Sequence, residues 1–178
     1  MVVGLGSPNG TGVSEMRPTK SEAYMDIARA VSSRSTCLRR RVGCVIVDLY
    51  DTVLATGYNG AVRSREDCLE RGWCYRKSNN IPSGSDYLFC FACHGEINAL
   101  IQAGRESRHA SMYIYGEDVE SGTVTQYPCA NCSRAIINAE ISNIFLSSPD
   151  GEIIEISPDE AYARAHKHIW SWKDGNMY

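Results

Sequence analysis

Apolar positions recur three to four residues apart at Tyr24, Ile27, Ala28 and Val31, the spacing of one helix face. Thr19 or Ser21 can cap that helix, with Glu22 in its first turn, and it is predicted to end near Ser33. The pattern then changes. Val42–Asp48 (VGCVIVD) and Thr52–Tyr58 (TVLATGY) are runs rich in β-branched residues, and the short link Leu49-Tyr50-Asp51 reads as a hairpin. A helix is predicted from His94 to about Ala103, a strand at Ser111–Tyr115 (SMYIY), a helix to about Ala139 opened by Pro128-Cys129, and a strand at Ile141–Leu146 (ISNIFL). Glu152–Ile156 reads as a further strand. Pro158–Trp170 reads as a closing helix, with proline at its start and acidic residues in its first turn. The strand–helix–strand order between Met112 and Leu146 favours a parallel pair with a right-handed crossover. The sum is an α/β chain, a layered α/β/α domain on a five-stranded mixed sheet.

Two stretches interrupt this order. Residues 1–18 are rich in Gly, Ser, Pro and Thr and are expected to be a flexible N-terminal segment, leaving 19–178 as a single domain. Residues 61–93 form a long, poorly periodic insertion carrying Cys68, Cys74, Cys90 and Cys93. Loops of that length are uncommon unless something holds them. Before the insertion, Gly57-Tyr58-Asn59-Gly60 is a tight turn. Asn59 is either only part of that turn or a hydrogen-bonding group at a pocket rim, where Arg63 is near enough in sequence to join it. Arg39-Arg40-Arg41 reads equally as a solvated loop and as a phosphate contact.

The composition narrows the function classes. Of 178 residues, 43% are apolar and 22% charged, as expected of one ordinary globular domain. A net charge of −3 argues against wholesale nucleic-acid binding. No apolar run reaches the roughly 20 residues of a membrane span, and the N-terminus lacks the basic start and apolar stretch of a signal peptide. A cytoplasmic location is expected. There, the 8 cysteines are better read as metal ligands or buried thiols than as disulfides.

The chemistry concentrates where two helices begin. His94, Cys129 and Cys132 are the ligand types of zinc, and a catalytic zinc takes three protein ligands, leaving a fourth position for water. Cys129 and Cys132, three apart, fall on one side of a first helical turn, with Pro128 at the first helical position. Glu96 is left over beside a ligand, placed to carry protons. H-x-E followed by P-C-x-x-C is the pattern of zinc-dependent base deaminases. A lone C-x-x-C is weak and a lone H-x-E weaker, but here both occur in order with a helical run after each. A second, structural zinc would hold the insertion, and such sites want four ligands. Cys37, Cys68, Cys74 and Cys90 are the best set, with Cys93 the rival of Cys90 and Cys44 a buried core thiol.

With these residues in place, the chain resembles the cytidine deaminase superfamily, and within it the deoxycytidylate (dCMP) deaminases. The segments that carry the resemblance are CLRRRVGCVIV at 37–47, ATGYNGA at 55–61, DCLERGWC at 67–74, HGEINAL at 94–100 and PCANCSRAIINAEI at 128–141. It implies a cytidine-deaminase-like fold with zinc on His94, Cys129 and Cys132, Glu96 as proton shuttle, and Asn59 at the sugar. It also implies, for some members, a structural zinc on cysteines of the insertion. A homo-oligomer, hexamer or smaller, with dCTP and dTTP as effectors is the implied assembly. The implied activity is hydrolytic deamination of a cytosine nucleotide, dCMP to dUMP. The chain departs from the family in having Gly95 for the usual Ala, Ala61-Val62-Arg63-Ser64 after the turn, a long GEDVESGTVTQY loop, and Ser147-Ser148-Pro149-Asp150 where tyrosines are usual. These departures are expected to border the phosphate end of the pocket. Two other readings share the zinc residues: deamination of another small cytosine- or aminopyrimidine-like compound, and editing of RNA or DNA, against which the acidic composition argues. A non-catalytic zinc module would leave Glu96 without a purpose.

Overall fold

The computed structural model describes residues 17–82, 84–124 and 127–167. Residues 1–16 of the segment expected to be flexible, and residues 168–170 of the predicted last helix, lie outside it. Helix α1 (Lys20–Ser32) starts on a capping pair. Thr19 Oγ1 accepts from the Glu22 N–H, and the Glu22 carboxylate accepts from the Thr19 N–H. Thr19, of the two candidate caps, is the one used.

Strand β1 (Arg40–Val47) pairs antiparallel with β2 (Val53–Tyr58). The link between them is closed by Asp48, whose carboxylate accepts from the N–H groups of Tyr50 and Thr52, both at 2.8 Å. β1 begins two residues before the predicted strand, and β5 (Ser111–Asp118) runs three residues beyond SMYIY. The two extensions are partners: Arg40 lies opposite Asp118 and Arg41 opposite Glu117. A basic pair facing an acidic pair stabilises a ladder that an apolar pattern cannot show. The sheet order is β2-β1-β5-β6-β7, with β6 (Asn143–Ser147) parallel to β5 and β7 (Ile153–Ile156) antiparallel to β6. The five-stranded mixed sheet is the predicted one.

Both faces of the sheet are covered. Met25 and Ala28 of α1 pack with Val45, Val47, Tyr113 and Tyr115 on one face. On the other, Cys44, Ile46, Met112 and Ile114 meet three helices, α4 (Gly95–Ala103), α5 (Ala130–Asn138) and α6 (Pro158–Ala165). Burial on two sides explains the unbroken apolar run of β1. Cys44 is the core thiol expected of it, fully buried. His166, at the end of α6, is a packing residue, buried against the Tyr162 ring.

The insertion is more ordered than the sequence predicts. Strands β3 (Gly60–Ala61) and β4 (Ala92–Cys93) pair antiparallel and close its base. Between them lie α2 (Cys68–Arg71), α3 (Tyr75–Ser78) and a 3-10 turn at Tyr87–Phe89. Helices of four residues are too short to establish a period, so no pattern announced them. The loop predicted at 116–127 also loses its first residues to β5, and a bridge pairs Glu117 with Val124. Among the described residues no helix is long and apolar enough to cross a membrane.

Helix α4 lies directly on β2. A Cβ at Gly57 would stand 2.3 Å from the Gly95 carbonyl oxygen and 2.4 Å from Ala99 N, both backbone atoms that cannot step aside alone. Glycine at 57 therefore sets the height of α4 above the sheet. Gly57→Ala is expected to lower the melting temperature by several degrees, from about 1–3 kcal/mol of overpacking. An unchanged thermal unfolding curve would show that α4 slides freely on the sheet.

Candidate metal centre

The N-termini of α4 and α5 meet above the sheet. His94 is the N-cap residue of α4 and Cys129 the N-cap of α5, and neither side chain caps its own helix. Pro128, predicted at the first helical position, stands one residue outside the cap, because α5 starts at Ala130. Cys132 is the third residue of α5. In a capping box the N-cap and third side chains face each other. Here the same geometry presents two sulfur atoms.

His94 Nδ1 lies 3.4 Å from Cys129 Sγ and 3.4 Å from Cys132 Sγ. Tetrahedral zinc, with bonds of about 2.0–2.1 Å to nitrogen and 2.3 Å to sulfur, needs an N–S edge of about 3.5 Å. The donors therefore fit zinc in kind and in spacing. Among the described residues, no other three His, Cys, Asp or Glu ligand atoms gather within 4.8 Å of one another. The thiol pair is polarised. A hydrogen bond from Cys132, with His94 adding to it, pulls Cys129 down to about 4 against its burial. The same hydrogen bond, together with burial, pushes Cys132 up. Burial would lower His94, but the Cys129 hydrogen bond and the Glu96 charge outweigh it and leave the imidazole raised.

Glu96 follows on the first turn of α4, 1% exposed, and its Oε1 has no hydrogen-bond partner. Burial raises its carboxyl above the usual range. A buried carboxyl with an open oxygen costs free energy unless something else meets it, and such groups concentrate at working sites.

A cavity of about 440 Å³ opens at this point, the size of a small-molecule pocket. His94, Glu96 and Cys129 line it, together with Arg39, Arg76 and Tyr87. The Tyr87 ring meets the His94 ring edge-on, centroids 4.8 Å apart. Its hydroxyl is pushed up to about 12, by burial first and then by the Cys129 charge. Arg76, Tyr87, Tyr127 and Arg164 escaped the sequence reading. The only signal for the first two was their position between the cysteines of the insertion.

The other predicted residues separate. Asn59 is buried and lines the cavity, but its amide is already engaged: Oδ1 accepts from the Val42 N–H and Nδ2 donates to the Arg40 carbonyl, both at 2.8 Å. Arg63 does not join it. The β3–β4 ladder carries the chain away, and Arg63 sits exposed on the following turn, outside the cavity lining. The basic triplet divides, Arg39 and Arg40 in the cavity wall and Arg41 outside with Glu117 at 3.3 Å. Ser147–Asp150, expected at the phosphate end, lie around the β6–β7 turn, where Ser148 donates to the Glu152 carbonyl. None of them lines the cavity. Cys37, Cys68, Cys74 and Cys90 all do. The Cys68 thiol is raised to about 11, by burial first and then by Cys74, Cys37 and Cys90, so the four are neighbours. No three of their sulfur atoms come within 4.8 Å, a looser set than the first. Cys93 pairs with Gly60 in the ladder and is not in the cavity wall.

Residues 18–148 match the family profile described as the cytidine and deoxycytidylate deaminase zinc-binding region. The deoxycytidylate deaminase of Schizosaccharomyces pombe is 34% identical over 131 residues, 74% of this chain and 38% of that protein. That of Mycobacterium phage D29 is 36% identical over 134 residues, 72% of this chain and 94% of that one. The chain thus spans about two-fifths of the fungal relative and nearly all of the phage relative. A solved dCMP deaminase of cyanophage S-TIM5, in complex with dCMP and dUMP, superposes with a TM-score of 0.52 at 25% identity, covering 72% of this chain and 81% of that one.

The Asn59 amide ties the end of β2 to the start of β1, so Asn59→Ala would orphan the buried Val42 N–H. A loss of about 1–3 kcal/mol in denaturant-unfolding stability is expected with no nucleotide present. Unaltered stability would leave Asn59 with a pocket role only.

Proposed function

The chain belongs to the cytidine and deoxycytidylate deaminase family, and we propose that it is a zinc-dependent hydrolase acting on a cytosine nucleotide, dCMP in the first instance. The observation that carries this reading is Glu96: a carboxyl 1% exposed, with an unpartnered oxygen, beside three soft-metal donors at zinc spacing. In the reaction a C4–O bond forms, the C4–N bond breaks, and of the two hydrogens of water one ends on ring N3 and the other on ammonia.

His94 Nδ1 and the Cys129 and Cys132 sulfurs would hold zinc, which when bound makes water a competent nucleophile near neutral pH. Glu96 accepts the proton of the attacking water at Oε1. Its burial favours the protonated form, so the carboxyl keeps that proton until N3 or the departing amine takes it. The α4 and α5 termini stabilise the thiolates by their N–H groups and dipoles. Tyr87, packed on the His94 ring, keeps water from that side of the imidazole. An anionic substrate is supported by the cavity lining, in which four arginines (39, 40, 76 and 164) face one carboxylate. The deoxycytidylate deaminases named among the relatives support the nucleotide. Another small aminopyrimidine phosphate is the second reading, favoured by the same arginines.

Cys37, Cys68, Cys74 and Cys90 form, in this proposal, a structural zinc site that ties the insertion to the approach of β1. Their shared place in the cavity wall supports it, and four thiolates make a closed site. The exposed Leu88, Phe89 and Phe91 of the insertion give a homo-oligomer apolar surface to bury. Regulation by dCTP and dTTP rests on the family resemblance. Eight free thiols suit a reducing compartment, the cytoplasm.

Ammonia release from dCMP, dCTP, deoxycytidine and CMP tests the substrate, and dCMP is expected to lead. Glu96→Gln should keep zinc and fold while losing about 10²–10⁴-fold in turnover; activity within a few-fold of wild type removes Glu96 from the chemistry. Freshly purified protein should carry two zinc ions per chain, and Cys68→Ser one. A single zinc in the wild type would sink the second site.

A further inference from the structure

We propose that Arg76, on the short helix α3 of the insertion, is the residue that reads the substrate's phosphate and makes this pocket prefer a nucleotide to a nucleoside. The inference rests on the deamination reading and adds the source of its specificity. Arg76 lines the cavity that holds His94 and Glu96, yet its side chain is buried, with the residue 7% exposed. Nη2 donates to two carbonyls, Pro82 at 2.8 Å and Ser85 at 2.6 Å, which fix the plane of the guanidinium. Nε is buried and has no partner. Among the described residues no carboxylate forms an ion pair with Arg76.

A buried cation without a counter-ion, and with an N–H left open, is expensive to maintain. An oxyanion entering the cavity would supply the missing counter-charge, and the guanidinium fork suits phosphate oxygens. Distance selects the same ligand. The guanidinium carbon sits 4.7 Å from the centre of the Tyr87 ring, and that ring is 4.8 Å from the His94 ring. Arg76 therefore lies no farther than about 9.5 Å from the imidazole. A pyrimidine nucleotide covers a comparable reach between its reacting ring carbon and its phosphorus.

The other arginines differ. Arg39 donates to the Ile81 carbonyl from a half-buried position, Arg164 is exposed and stacked on Tyr127, and Arg63 is outside the cavity. Arg76 alone of these combines burial with an unpartnered donor.

The test compares wild type, Arg76→Gln and Arg76→Lys on dCMP and deoxycytidine, with calorimetric binding of dUMP and deoxyuridine as a readout independent of turnover. Glutamine keeps a donor for the two carbonyls and removes the charge; near-ultraviolet dichroism and zinc content confirm the fold. The expected result for Arg76→Gln is a KM for dCMP and a Kd for dUMP raised about tenfold to a hundredfold, the worth of a charged hydrogen bond, with deoxycytidine and deoxyuridine unchanged. Should the glutamine variant unfold, Arg76→Lys carries the test, with a smaller loss for the nucleotides only. Equal losses for nucleotide and nucleoside in a folded variant, or no loss for either, would overturn the proposal. Wild-type protein that binds dUMP above deoxyuridine but releases no ammonia from any cytosine compound would instead overturn the deamination reading, while the binding comparison still judges Arg76.

Discussion

Two helix starts must stand within one ion's coordination sphere of each other, and the rest of the molecule is arranged to hold them there. His94 Nδ1 and the two thiols are 3.4 Å apart because α4 and α5 are seated on the same face of one sheet. The seat of α4 depends on Gly57, where a side chain would collide with the backbone of Gly95 and Ala99. A shift of α4 by the width of a methyl group would carry His94 and Glu96 off together, since both belong to its first turn. The helix ends also supply what the chemistry needs electrostatically, because free N–H groups and aligned dipoles favour thiolate there.

That arrangement explains how the chain tolerates a fully buried carboxyl. Glu96 lines the same cavity as the raised imidazole and the polarised Cys129 thiol, and its Oε1 is left without a protein partner there. Under the proposed reaction its cost in stability is the condition of its use, since a proton carrier must exchange its partner as the reaction proceeds. The Tyr87 ring and the insertion close over the same place. In the proposed reaction the core domain would supply the metal donors and the proton carrier, while the insertion adds Arg76 and Tyr87 to the cavity wall.

Among the described residues the insertion contributes nothing to either apolar core cluster, and its order comes from other sources. A two-residue ladder closes its base, Arg76 gathers the carbonyls of Pro82 and Ser85, and the Tyr75 and Phe89 rings stack at 5.6 Å. These are specific, directional interactions, and a chain segment ordered by them is well suited to positioning a charged recognition group.

Much of this protein was legible in the chain itself. Period and length marked α1, α4, α5 and α6 and the strands of the sheet, because burying one stripe or both faces leaves a repeat in the sequence. The spacing H-x-E and P-C-x-x-C named the donors, because helix N-termini place those positions locally, within one turn. What the sequence left undecided depended on partners distant along the chain. The early start of β1 came from Arg40 and Arg41 finding Asp118 and Glu117 across the sheet. Asn59 was bound into the backbone of β1, and Arg63 was carried outside, by pairings of β1 with β2 and of β3 with β4. Arg76 and Tyr87 reached the cavity through the fold of an aperiodic insertion. Local spacing determines which chemistry a segment can offer; only the tertiary structure decides which side chains are left buried, unpaired and facing it, because that depends on every other group they meet.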